Sequence, residues 1–239
     1  MEPEQFAGAS KTSRSLLTPL EQRLDRVVVP RIPRWLETYH LTMLTLVWCA
    51  LIIYFSYLAA RDIRWLWLVS LMIFFQYLTD HFDGKVGKYR GTGLVKWGFY
   101  MDHILDYVFL CSVLIGYSLI LPERSRFHLL LLLAVTVGFM VNAFLAFSAT
   151  EKFHISFMKF GPTEFRIVLI VVNALLIIYG KRYMIKSLRY IAAGCFIGLC
   201  VIVYTTQRKI WKSDMEYKRR HSSRVSTDYA DNTDKNLDS

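Results

Sequence analysis

Long apolar segments alternate with short polar connections along most of this 239-residue chain. An α-helix needs roughly 20 apolar residues to cross the hydrocarbon core of a bilayer, which is about 30 Å thick. The pattern predicts six transmembrane helices, at residues 41–60, 65–82, 95–121, 127–149, 165–180 and 188–206. The predicted fold class is therefore all-α, an integral membrane protein whose second and fifth spans are short.

The segment before the first span predicts an amphipathic helix that lies in the membrane interface. Leucine and valine recur at helical spacing within residues 16–28, with arginines between them. Pro30 and Pro33 then interrupt this helix before the first span begins. At the other end of the chain, the polar composition after Trp211 predicts a disordered tail. The expected organisation is an N-terminal cytoplasmic segment at 1–40, a six-helix transmembrane domain at 41–206 and a polar cytoplasmic tail at 207–239.

Composition supports a membrane protein and indicates its orientation. The hydrophobic fraction is 54% and the net charge is +10. The sequence contains no basic patch interleaved with aromatic residues, so nucleic-acid binding is not indicated. With both termini cytoplasmic, 21 of the 29 Lys and Arg residues lie on the cytoplasmic side, which favours this orientation. In a bacterium this would be a protein of the inner membrane. The four cysteines lie in apolar segments without a C-x-x-C pair, so no disulfide or zinc site is expected.

Four aspartates stand out against the apolar pattern. Asp80 and Asp83 lie at the cytoplasmic end of the second span, and Asp102 and Asp106 lie in the first turns of the third. Spacings of three and four residues place each pair on one face of a helix. Because the connection between these spans is short, the helices should be antiparallel neighbours whose aspartate pairs face each other. Carboxylates at such a depth are rare and indicate a functional site.

Divalent metal binding is the simplest way to compensate four neighbouring carboxylates. Mg²⁺ and Mn²⁺ prefer oxygen ligands, and Mg²⁺ often shares its coordination shell with a substrate phosphate. Gly84 would end the second helix, and Gly98 lies on the same helical stripe as Asp102, where it would let a substrate approach the backbone. Three nearby basic residues could neutralise phosphate: Lys85, Lys88 and Arg90. Elsewhere, Asn142 and Asn173 are expected to form interhelical hydrogen bonds.

The stretch DHFDGKVGKYRGTGLVKWGFYMDHILD resembles the signature of the CDP-alcohol phosphotransferase family. That signature reads D-x-x-D-G-x-x-A-R, then about eight residues, then G-x-x-x-D-x-x-x-D. Asp80, Asp83 and Gly84 match its first half, and the second half is matched by Gly98, Asp102 and Asp106. Two departures occur: the A-R pair is Gly87-Lys88, and the gap before Gly98 is nine residues. Lysine keeps the positive charge of arginine but not its bidentate fork.

The resemblance implies transfer of a substituted phosphate from a CDP-linked donor to an acceptor hydroxyl, with release of CMP, in phospholipid synthesis. It implies Mg²⁺ or Mn²⁺ ligands at Asp80, Asp83, Asp102 and Asp106. Asp106 would also be the general base. Gly84 and Gly87 would border the nucleotide, and Lys88 would face phosphate. The resemblance also implies membrane lipids as partners and allows a homodimer.

The substrate assignment has two alternatives. The segment KFGPTEFR, residues 159–166, contains a G-P-x-E pattern similar to the branch that moves phosphocholine or phosphoethanolamine onto diacylglycerol, where Glu164 would meet a cationic headgroup. Pro162 and Glu164 are also ordinary residues at a helix start. Four basic residues near the site instead favour CDP-diacylglycerol as donor and a small polar alcohol as acceptor: Lys88, Lys152, Lys159 and Arg166. A cation transporter is the contrasting class, but the other spans offer few polar groups for an ion path.

Overall fold

The structure, a computed structural model, describes residues 18–91, 94–150 and 162–235 and contains helices but no strand within them. This confirms the all-α fold class. The helices are α1 Thr18–Val28, α2 Thr38–Arg61, α3 Leu66–Arg90, α4 Val95–Ile120, α5 Arg126–Thr150, α6 Pro162–Tyr179 and α7 Lys181–Lys235. Short 3₁₀ turns precede α3 and α5, and another follows α1 where Pro30 was expected to interrupt the helix.

Helices α2 to α7 occupy the six segments that the apolar pattern predicts as spans. Among the described residues, four helical stretches are long and apolar enough to cross a membrane: Thr38–Arg61, Val95–Ile120, Glu123–Thr150 and Lys181–Arg219. The six-span prediction is therefore supported in part. The remaining two helices differ in composition and length, because α3 carries several charged residues in its last turns and α6 has 18 residues.

The core is formed where α2, α3, α4 and α6 pack together, while α5 packs against α7. Ile52, Ile73 and Leu176 are completely or almost completely buried within it. At one point α2 and α4 approach so closely that a Cβ on Gly116 would clash with the Ser56 side chain. Close approach of backbones at small residues is typical of helices packed in a membrane. This packing holds the ends of α3, α4 and α6 side by side.

Buried polar side chains also link three of these helices. Asn173 on α6 accepts a hydrogen bond from the Tyr117 hydroxyl on α4 at 2.9 Å and donates to the Ser70 hydroxyl on α3 at 3.1 Å. The expected interhelical role of Asn173 is confirmed. Asn142 on α5 has no hydrogen bond to the side chains that the structure describes.

Two boundaries differ from the sequence-based expectations. Helix α3 continues past Gly84 to Arg90, and Gly91 ends it in a left-handed conformation with φ of 67°. The expectation that Gly84 ends the helix is therefore wrong. After Trp211, where the composition predicts disorder, α7 continues as a helix to Lys235. No glycine or proline occurs after Gly198, so nothing in the covalent chain interrupts this helix.

Candidate functional site

The two halves of the aspartate motif meet at one arginine. Arg166, at the beginning of α6, donates from Nη2 to Asp80 Oδ2 at 3.0 Å and to Asp106 Oδ1 at 3.2 Å. Asp80 lies on α3 and Asp106 lies on α4, so three helices converge on this guanidinium. Asp80 and Asp106 keep exposed fractions of 28% and 39%. The site is therefore reachable from outside the helix bundle.

Arg166 itself is buried, with an exposed fraction of 4%. Its Nε donates to Gln76 Oε1 at 2.6 Å, and its guanidinium lies over the Phe109 ring at 5.4 Å. A buried charge is costly unless it is paired and hydrogen-bonded. Here two carboxylates, one amide oxygen and one aromatic face compensate it. The nitrogen of the same amide group, Gln76 Nε2, is buried without a hydrogen-bond partner among the described residues.

Asp83 occupies the most enclosed position of the four aspartates, with an exposed fraction of 5%. Its carboxylate accepts a hydrogen bond from the Thr42 hydroxyl on α2 at 2.9 Å and another from the Gly84 amide. Both donors are neutral. Asp80 and Asp102 lie close enough to Asp83 to repel its charge. Three carboxylates from α3 and α4 are thus neighbours, as the antiparallel arrangement of the two helices predicts.

The glycines of the motif border both open space and packed helix. A Cβ added to Gly84 or Gly98 would meet nothing within 4 Å, so both lie beside unfilled space. Gly87 is buried in α3 instead. Open space beside Gly84 and Gly98 suits the approach of a substrate to the backbone. Binding by these glycines remains a prediction.

The basic residues around the motif differ in their bonding partners. Lys85 forms an ion pair with Asp25 at 2.8 Å, and Arg90 donates to three backbone carbonyls in residues 32–36 at 2.8 to 3.0 Å. Both therefore hold the segment that precedes α2 against α3. Lys88 is exposed on α3. Of the three basic residues that were expected to face phosphate, Lys88 is the one whose side chain makes neither an ion pair nor a hydrogen bond in the part of the chain that the structure describes.

Helix α1 contacts the site through two acidic residues one turn apart. Glu21 accepts hydrogen bonds from the Tyr77 hydroxyl at 3.0 Å and from the Thr163 hydroxyl at 3.1 Å. Asp25 lies 2.6 Å from His81 Nε2. Since Tyr77 and His81 belong to α3 and Thr163 belongs to α6, α1 joins these two helices next to the aspartates. The amphipathic pattern of α1 predicts a membrane-surface helix but gives no sign of this second role.

Glu164 follows Thr163 in the first turn of α6 and is half-buried. The hydrogen bond from Thr163 to Glu21 therefore brings two carboxylates to the beginning of this helix. Lys152 and Lys159, which were expected to contribute positive charge near the site, lie outside the described residues.

The carboxylates fit a hard divalent cation by their chemistry. All four offer oxygen ligands, which Mg²⁺ and Mn²⁺ prefer, and Asp83 is buried against neutral donors and like charges. In the described part of the chain, however, no three acidic, histidine or cysteine side chains converge as the ligands of one ion would. Arg166 supplies the positive charge between Asp80 and Asp106.

Comparison with known proteins agrees with the motif. No curated protein matches the chain. The family model described as CDP-alcohol phosphatidyltransferase matches residues 39–204, which include the four aspartates and Arg166. Members of this family transfer substituted phosphate groups and generally use divalent metal ions. The chain therefore belongs to the CDP-alcohol phosphatidyltransferase family and is a transferase of the membrane.

Proposed function

We propose that the aspartates Asp80, Asp83, Asp102 and Asp106 form an active site that transfers a substituted phosphate from a CDP-linked donor to an alcohol. The observation that carries this proposal is the meeting of both motif halves at Arg166, at distances of 3.0 and 3.2 Å. The cluster lies at the ends of α3 and α4, where lipid tails can remain in the bilayer while a soluble nucleotide approaches. The distribution of Lys and Arg supports a cytoplasmic position for this end and for both termini.

Asp106 is proposed as the general base. It is the more exposed of the two aspartates that contact Arg166, so an acceptor hydroxyl can approach it. As the acceptor oxygen forms its bond to the phosphorus of the donor, the bond from that phosphorus to the CMP oxygen breaks. The hydroxyl proton passes to the Asp106 carboxylate, and CMP leaves with the electron pair of the broken bond.

The proposed ligands of the divalent metal ion are Asp80, Asp83 and Asp102, with Asp106 at the edge of the site. When bound, the ion would polarise the phosphorus under attack and offset the negative charge on the diphosphate and on the departing CMP. Mg²⁺ and Mn²⁺ are the proposed ions, because both suit a set of carboxylate oxygens. Gly84 and Gly98 leave the space in which a nucleotide could lie against α3 and α4.

Charges around the site support a cationic headgroup, which we propose in place of the small polar alcohol that the sequence alone favours. Arg166 was counted there as an attraction for an anionic acceptor, but its charge is compensated by Asp80 and Asp106. At the beginning of α6, Glu21 instead accepts a hydrogen bond from Thr163, and Glu164 is the next residue along the chain. Two carboxylates at one place attract a quaternary or primary ammonium group. We therefore propose CDP-choline or CDP-ethanolamine as donor and diacylglycerol as acceptor.

Transfer from CDP-diacylglycerol to a small polar alcohol is the second candidate. The exposed side chain of Lys88, which lies on α3 beyond Asp83, favours it because this lysine could attract the phosphate of an anionic acceptor. Both candidates use the same aspartates, so only a direct assay separates them.

The test is CMP release by the purified protein in lipid nanodiscs with Mg²⁺ or Mn²⁺. One set of reactions contains CDP-choline or CDP-ethanolamine with diacylglycerol, and the other contains CDP-diacylglycerol with glycerol phosphate, serine or inositol phosphate. We expect CMP release in the first set and its loss in Glu164→Gln. The matched control is Glu123→Gln, which alters an exposed glutamate in the turn before α5. Release only in the second set would contradict the cationic headgroup, and release in neither set would contradict the reaction.

A further inference from the structure

Arg166 holds the two aspartates from opposite halves of the motif with a single nitrogen. Its Nη2 lies 3.0 Å from Asp80 Oδ2 and 3.2 Å from Asp106 Oδ1, while its Nε is fixed by Gln76 at 2.6 Å. Phe109 covers one face of the guanidinium. The side chain is therefore anchored at Nε and on its ring-facing side, and its Nη2 end points at the carboxylates.

Positive charge at this position opposes the binding of another cation. An arginine side chain stays protonated in proteins, so Arg166 cannot become neutral when a metal ion arrives. Two positive charges that share Asp80 and Asp106 repel each other, and burial weakens the screening by water.

We propose that Arg166 is an internal counter-ion that competes with the divalent metal for Asp80 and Asp106. In the metal-free protein, Arg166 compensates these carboxylates and stabilises the contact of α6 with α3 and α4. When a divalent ion binds, Nη2 leaves the two carboxylates, while Nε keeps its bond to Gln76 Oε1. The inference rests on the proposed function only in placing the metal at these aspartates.

If Arg166 competes with the metal, removing its positive charge should raise the affinity for metal and lower the stability of the metal-free protein. Removing the charge with Arg166→Gln should tighten Mn²⁺ binding at least tenfold, because the ion no longer has to displace a cation. The same variant should lower the melting temperature in chelator, because Asp80 and Asp106 lose the cation that both of them contact. Added Mn²⁺ should then raise the melting temperature more in the variant than in the wild type. A residue that merely packs the helices would lower stability under both conditions and leave the affinity unchanged.

The experiment measures Mn²⁺ binding by electron paramagnetic resonance and thermal unfolding of the full chain in nanodiscs, with chelator or with Mn²⁺. Arg166→Lys keeps the charge but loses the planar fork, so it should tighten binding by a smaller factor, about threefold. Arg189→Gln, which alters an exposed arginine on α7, is the matched control and should bind Mn²⁺ as the wild type does.

Each result separates this inference from the proposed function. Wild-type protein that binds Mn²⁺, with unchanged or weaker binding in Arg166→Gln, would overturn the competition and leave the metal site standing. If Arg166→Gln does not fold even with Mn²⁺, the Lys variant decides, and unchanged or weaker binding there overturns the inference. Wild-type protein that does not bind Mn²⁺ at all would overturn both the metal site and the competition.

Discussion

The hydrogen-bond network of Ser70, Asn173 and Tyr117 offers a test of what holds α3, α4 and α6 together beneath the aspartates. Asn173 is completely buried and makes one hydrogen bond to each of the other two side chains, at 2.9 and 3.1 Å. It lies seven residues after Arg166 on α6, which is about two helical turns, or roughly 10 Å. Loss of the network should therefore loosen the helix that delivers Arg166 to the site.

The magnitude follows from the number of bonds that each substitution removes. Interhelical hydrogen bonds in membrane proteins contribute about 0.6 kcal/mol on average and up to about 1.7 kcal/mol. Tyr117→Phe removes one bond, so we expect a loss of about 0.6–1.7 kcal/mol in the free energy of unfolding. Asn173→Leu removes two, so the expected loss is roughly 1–3 kcal/mol. The double variant should lose less than the sum, since the shared bond can be removed only once.

Reversible unfolding by sodium dodecyl sulfate in mixed micelles would measure these differences. The matched control is Asn142→Leu, the same chemical change on α5, where no hydrogen bond to a described side chain is lost. Its effect should stay within about 0.5 kcal/mol. Strict additivity of Tyr117→Phe and Asn173→Leu, or an equal loss in the control, would refute the reasoning, because neither is compatible with a specific bond between the two residues.

Four further outcomes are expected. CMP release should stop in chelator and return with Mg²⁺ or Mn²⁺; full activity in chelator would remove the metal from the mechanism. Asp106→Asn should lower turnover about 10²–10⁴-fold with little change in donor binding, and near-normal turnover would identify another base. Asp25→Asn should speed amide hydrogen exchange in α1, since two basic partners on α3 lose a charged acceptor; unchanged exchange would contradict this contact. Gly116→Ala should cost about 1–3 kcal/mol, because the new Cβ would lie 3.0 Å from the Ser56 Cβ, and wild-type stability would contradict this packing.

Helix positions could be predicted from the sequence because bilayer thickness sets the length of each apolar segment. The ends of α3 and α7 could not be predicted, and the reason differs between the two helices. Glycine at position 84 was interpreted as a helix end, yet a glycine inside a helix costs only about 1 kcal/mol. Burial of Val86 and Phe82 against the segment before α2 can exceed that cost, so α3 continues to Gly91. In α7, the polar composition after Trp211 predicts disorder, but the segment contains no glycine or proline to end the helix.

The aspartates were found in the sequence because their spacing alone places them on helical faces. The role of Arg166 could not be found in this way, because its partners are distant along the chain. Gln76, Asp80 and Asp106 lie 90, 86 and 60 residues away from it. One signal was present nevertheless. An arginine inside a predicted span is costly in lipid and therefore needs a carboxylate partner. Arg166 was expected only to add positive charge near the site, and that expectation overlooked this requirement.

Helix α1 has two faces, and the sequence pattern predicts the role of only the exposed one. Its exposed residues include Leu24, Val27 and Arg23, a combination that suits the boundary between headgroups and acyl chains. Its acidic residues Glu21 and Asp25 face inward and contact α3 and α6. The family match begins at residue 39 and so leaves α1 outside, although α1 contacts α3, which carries the first half of the motif, and α6, which carries Arg166. A helix bound to the membrane surface and to both α3 and α6 would fix the depth of the aspartates relative to the lipid.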